Sequence, residues 1–235
     1  LKNINEEVLK LSVDYKDALN FSEARIQKAI LLAKSGNFDS SDSLLNDILI
    51  GLSRKKYDQQ MAIIYSLLGE SQRMRGNIDS AFNRYQTALK FADEVKDNQR
   101  IGFCYRNIGY LMSLKGKSDS TIYYFSKSLS YLKNAGDYKR IISICLNLNE
   151  EYRIIGNYNS SISYGDTALI YANILKDRSI ISNVNLSKAY TYSRFSNLPG
   201  SIEAALKGFH LAKAIQDTLM ISKSAYVLSS FYREN

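Results

Sequence analysis

The chain has no tryptophan, one proline, one histidine and two cysteines in 235 residues. A single histidine, His210 in a second-helix stretch between Phe209 and Leu211, leaves paired-imidazole metal sites and Ser-His-Asp nucleophiles almost nothing to assemble from. Cys104 and Cys145 belong to no CxxC or His-bearing spacing. They lie in apolar helical stretches and read as two small buried hydrophobes. No apolar run reaches the roughly 18 residues that a membrane-spanning helix needs. The glycine turns lack the GxxxxGK run that cradles a phosphate. Glu150 and Glu151 are adjacent and point in different directions on a helix, and Glu6 and Glu7 sit at a frayed end, so neither pair makes an acid and base. No catalytic residue, metal or cofactor is expected, and the chain does not read as an enzyme.

Thirty-one Lys and Arg against 23 Asp and Glu give a net charge of +8. That balance favours an acidic protein or peptide partner. The signs alternate along the chain without a long basic run, which argues against direct nucleic-acid binding. The chain begins at Leu1 without an initiator methionine, as a processed chain or a piece of a longer one would.

What the sequence does contain is repetition. Gly36, Gly76, Gly116 and Gly156 fall 40 residues apart, each opening a stretch such as GNIDSAFNRYQTALKFA, and a worn copy starts at Ser196. The glycines are read as helix stops. Asp39, Asp79, Asp119 and Asn159 are expected to cap the helix that follows. Phe82, Tyr85, Leu89 and Ala92 then share one helical face, as do Ile122, Phe125, Leu129 and Leu132. A second marker, Asp17, Asp97, Asp137, Asp177 and Asp217, keeps the same beat, with Tyr57-Asp58 slipped by one. Two phased markers per period mean two antiparallel helices per period. Such a hairpin cannot bury its apolar faces alone, so the copies must stack.

The expected fold is therefore all-α: one right-handed superhelical solenoid over 1–235. Its hairpins are 17–56, 57–96, 97–136, 137–176 and 177–216, flanked by helices at 3–15 and 217–235, about twelve helices in all. Residues 222–235 match a first helix, and the next turn glycine on the beat falls just past Asn235. That spacing fits a boundary drawn through a longer protein.

The packing positions Gly69, Gly76, Ala81, Tyr85 and Ala88 resemble those of a tetratricopeptide repeat. The third repeat retains Gly109, Gly116 and Phe125, with Thr121 and Ser128 where alanines are usual. The fourth retains Tyr152, Gly156 and Ala168, but has Asn149 for the first-helix glycine and Gly165 for the aromatic. A 40-residue period exceeds the family's common one of about 34. The longer unit, with Gly-Asn turns and Ser- and Tyr-rich helices, is similar to the sensor regions of Bacteroides-type regulators. Those are extracytoplasmic and precede a membrane helix and a histidine-kinase or DNA-binding output domain. A more distant likeness is to cytoplasmic peptide-sensing regulators.

The resemblance implies a protein- or peptide-binding module, either the sensor of a signalling or transcriptional regulator or a scaffold without switching. A homodimer is the other partner considered. By the family's geometry the binding face lies on the first helices. It would comprise Ile63, Ser66, Glu70, Arg73 and Met74, then Phe103, Arg106, Tyr110 and Ser113. Ser143, Leu146, Glu150 and Arg153 follow, and then Asn183, Leu186, Tyr190, Ser193 and Arg194. Arg73, Met74, Arg106, Tyr110, Glu150, Arg153, Tyr190 and Arg194 are its chief candidates, a mixture suited to a segment with some negative charge. The Lys/Asn carboxylate clamp of some relatives is absent, because Ser66 and Glu70 occupy its places. The 18 tyrosines read as spacers between helices.

Overall fold

Each two- or three-residue loop between helices turns on one left-handed residue. Five are glycines, Gly36, Gly76, Gly116, Gly136 and Gly156, and four are Lys96, Lys176, Ser196 and Gln216. The chain reverses through a bond to the carbonyl five residues back. Asn37 donates to Leu32 at 2.9 Å, Asn77 to Gln72 at 2.9 Å and Asp97 to Ala92 at 2.9 Å. This is the glycine-type helix stop, and the four non-glycine copies carry a cost of ~1 kcal/mol each.

This computed structural model describes residues 18–52 and 57–233, with side chains over 22–52 and 57–229. They form eleven helices and no strand: α1 Ala18–Lys34, α2 Phe38–Gly51, α3 Asp58–Met74, α4 Ile78–Glu94, α5 Asn98–Leu114, α6 Ser118–Ala135, α7 Tyr138–Ile154, α8 Tyr158–Leu175, α9 Arg178–Arg194, α10 Leu198–Ala214 and α11 Thr218–Arg233. The helix expected at 3–15 and the marker Asp17 lie outside the described residues. None of these helices is long and apolar enough to cross a membrane.

One set of caps is where the sequence puts it, and the other is shifted. Asp97, Asp137, Asp177 and Asp217 each accept a backbone N–H from the first turn that follows, as from Arg100 at 2.9 Å and Met220 at 3.0 Å. Asp39, Asp79, Asp119 and Asn159 do not cap. They lie inside the first turn, and the residue that precedes the helix is two positions earlier. There Asn37, Asn157 and Asn197 accept from Ser40, Ser160 and Gly200. A cap must stand outside the helix to reach back to its free N–H groups. The first-turn aspartates instead meet the positive end of the helix dipole, and Asp39 also pairs with Arg75 at 2.8 Å.

Short loops make neighbouring helices antiparallel. The chain forms two compact units, Leu1–Leu111 and Met112–Asn235, which divide within α5. In the first, α1 packs on α2 and α3 on α4, with α3 also against α1 and α2. In the second, α7 pairs with α8, α9 with α10, and α11 covers α10 and α9.

Inside α1–α2 and α3–α4 the contact is a small residue on the first helix beneath a larger one on the second. Ala29 faces Leu45 in one buried cluster. Gly69 lies under the Tyr85 ring, where an added Cβ would stand 2.8 Å from two ring carbons. Tyr85, Ala81, Ala88 and Ala168 are fully buried, Phe125 nearly so, and Gly109 is buried as well. A hydroxyl clasp recurs beside this contact. Ser41, Ser161 and Ser201 donate to the carbonyls of Ala29, Asn149 and Ala189 at 2.9, 2.8 and 2.7 Å. Each serine takes the place that Ala81 holds in α4.

Candidate functional site

The first-helix face starts from repeat phase. In sequence its positions alternate: Glu70, Tyr110, Glu150, Tyr190, and three residues on Arg73, Ser113, Arg153, Ser193. Two hairpins, rather than one, make a chemical period on this face.

In the first unit the face is built around Glu70. Arg73 grips its carboxylate with two bonds, Nε to Oε2 at 3.1 Å and Nη2 to Oε1 at 2.5 Å. The Tyr85 hydroxyl donates to Oε2 at 2.9 Å from the far side. Burial works against a charge on Glu70. The Arg73 and Tyr85 bonds and the nearby Arg106 charge outweigh it and hold the carboxyl below its ordinary range. The same bond raises Arg73, and burial followed by the Glu70 charge pushes the Tyr85 phenol upward. Phe103 is flanked by two guanidinium groups, Arg100 at 5.6 Å and Arg106 at 5.0 Å from its centroid, and meets the Tyr85 ring edge-on at 6.4 Å. Arg100 donates to Ser66 Oγ at 3.0 Å. Met74 is 56% exposed beside this cluster.

In the second unit Arg153 pairs with Glu150, again three residues back on its own helix. Leu114 and Ile154, at the position of Met74 in their own helices, are 67% and 57% exposed. Tyr190 and Arg194 are exposed, as are Ser113, Asn183 and Ser193. Ser113 donates to buried Glu151 at 2.7 Å.

Two expected members do not line this face: Ser66 and Leu186 are buried. Both side chains are covered by neighbouring residues: Arg100 donates to Ser66 Oγ, and Leu186 packs in the cluster with Ala189, Ala204, Ala205 and Val227. Two contributors were not anticipated. Arg100 is one turn before Phe103. Tyr85, read only as packing, carries its hydroxyl to Glu70. The arginines are also less available than a row of cations implies, since Arg73 and Arg153 are each neutralised by a glutamate at i−3. That spacing was legible in the sequence.

The remaining chemistry is quiet. Burial pushes the thiols of Cys104 and Cys145 up to about 12, and both are free. Among the described residues no group of three or more His, Cys, Asp or Glu could hold a metal ion.

No family model matches the chain, and no curated protein does. Solved structures do. BtubC (BKLC) from P. vanneervenii is similar at 20% identity over 90% of this chain and 88% of that one, with a TM-score of 0.79. The apo form of RapI aligns at 12% identity over 99% of this chain and 66% of its own, with a TM-score of 0.81. The STAND protein with a tetratricopeptide repeat sensor from Pyrococcus horikoshii aligns at 18% identity over 92% of this chain, TM-score 0.76. This chain spans 36% of that protein's length. The fold is tetratricopeptide-like: all-α, in packed antiparallel helix pairs.

Proposed function

We propose that the chain is a protein- or peptide-binding module working through its first helices, and that it serves as the sensor or scaffold region of a larger bacterial signalling or transcriptional regulator. The observation that carries this reading is a recurrent exposed aliphatic. Met74, Leu114 and Ile154 hold one repeat position at the ends of three first helices, each more than half exposed. A large apolar group kept in water at a fixed phase, next to an Arg–Glu pair on α3 and α7, suits a partner surface rather than packing. The repeat sensor of the Pyrococcus horikoshii protein, one part of a longer chain, supports the role by analogy of fold. The extracytoplasmic placement implied by the resemblance to Bacteroides-type sensor regions belongs to the same reading.

Arg153→Glu with Arg194→Glu tests it. The double variant should keep its helicity and melting temperature and bind the regulator's protein partner at least about tenfold more weakly, ~1.4 kcal/mol. Unchanged affinity in a titration would remove the first-helix face as the binding surface.

A further inference from the structure

The second unit holds a groove of about 820 Å³ between α8, α9 and α10. Its origin emerges when hairpins are compared at 40-residue intervals. In α3–α4, Tyr65 stacks on Phe91 with centroids 5.7 Å apart and planes 7° apart, and the Arg84 guanidinium lies 5.8 Å from the Tyr65 centroid. In α9–α10 those three positions hold Asn185, Leu211 and Ala204, and all three line the groove. In α7–α8 a second stack joins Tyr152 to Tyr164, 5.5 Å apart and 8° from parallel. The equivalent pair in α9–α10 is Tyr192 and Ala204, so Tyr192 keeps its ring, which meets Tyr158 at a tilt with centroids 6.5 Å apart, and loses the parallel partner on α10. The groove is the imprint of planar groups present at the same positions in other hairpins.

Its polar groups are also out of pattern. Asn185 is only 6% exposed, and its amide N–H donates to the Ile181 carbonyl at 2.8 Å. The amide oxygen is left as the acceptor for a guest. Lys188 occupies the position of the buried Leu68, Ile108 and Leu148. Its stem runs over Gly165, its ammonium reaches Asp166 at 2.5 Å, and it stands 5.8 Å from the Tyr192 ring centroid. A cation at a core position beside a ring without its stacking partner makes a floor for another ring.

We propose that this groove takes a tyrosine side chain presented by a bound peptide or protein segment, with its ring on Tyr192 and its hydroxyl donating to Asn185. The inference rests on the peptide-binding reading above and names an anchor for it. N-acetyl-tyrosinamide, titrated and followed by amide NMR, should shift the signals of Asn185, Tyr192 and Leu211, and N-acetyl-leucinamide should bind about tenfold more weakly. Ala204→Tyr rebuilds the Tyr152–Tyr164 arrangement inside the groove, and should keep or raise the melting temperature while abolishing the shifts. Leu211→Phe, which restores the ring of the Tyr65–Phe91 stack, should cause the same loss and stands in if the first variant does not fold. No response, an equal response to both derivatives, or an undiminished response in the filled variants overturns the proposal. The Arg153→Glu, Arg194→Glu protein should respond to tyrosinamide as the parent does, so failure of the groove and failure of the first-helix face are read separately.

Discussion

In α3–α4 a first-helix glycine, Gly69, lies under the ring of Tyr85. In α7–α8 the same two positions hold Asn149 and Gly165. Large and small have changed helices. The volume that Tyr85 fills from one side is filled by the Asn149 amide and the Lys188 stem, and the amide brings polarity that must be satisfied. Asn149 Nδ2 donates to the Ser161 carbonyl at 2.8 Å and shares its protons with Ser161 Oγ and Thr191 Oγ1 at 3.0 Å each. Its oxygen accepts from Ser187 Oγ at 2.7 Å. All four residues are at least partly buried, and the network closes on itself. One hairpin is held by a ring against a bare backbone and the other by a ring of hydrogen bonds. A repeat can therefore exchange an apolar solution for a polar one when volume and hydrogen bonding are both restored.

The exchange can be broken on either side. Tyr85→Ala removes a fully buried ring and its bond to Glu70, and should cost ~3–5 kcal/mol in chemical denaturation, the largest effect here. Asn149→Leu keeps the branched shape but takes from Ser187 Oγ its acceptor and from Thr191 Oγ1 the amide donor, leaving Thr191 only Ser161 Oγ at 3.1 Å and the Ser187 carbonyl at 3.4 Å. It should cost ~1–3 kcal/mol, and a neutral result would mean that the hydroxyls re-pair elsewhere. The smallest difference lies in pH. Glu70 has a folded pKa below its ordinary value of 4.5, so its contribution is present above that value and is lost as pH falls through the lowered one. The gap in stability between the parent protein and Glu70→Gln, under ~1 kcal/mol for this partly exposed pair, should close on acidification. The gap for Asn149→Leu should stay level, because its network holds no titrating group.

The 40-residue beat marked the helix pairs and the aspartates that begin the first helices, and the resemblance to a tetratricopeptide repeat marked Gly69 as a packing position. The beat misplaced the first caps because Asp39 and Asn37 are both good capping types and only backbone geometry separates them. It marked Asn149 and Gly165 as two departures, since a pairing across a hairpin is invisible until the contact is known. The groove was less legible still. It comes from three truncations, at Asn185, Ala204 and Leu211, each acceptable alone. They add up to a cavity only because α9 and α10 bring them to one place. The arginine row was visible as a phase, but its neutralisation depends on side chains folding back along their own helices.

The two cysteines have a kinetic use. Each compact unit contains one of them, Cys104 in α5 and Cys145 in α7, and burial keeps both as neutral thiols with pKa values near 12. A thiolate-seeking reagent at neutral pH reaches them only when the surrounding helices part. Rates of alkylation at the two sites thus time the opening of each unit independently, two clocks set into the native sequence with no label added.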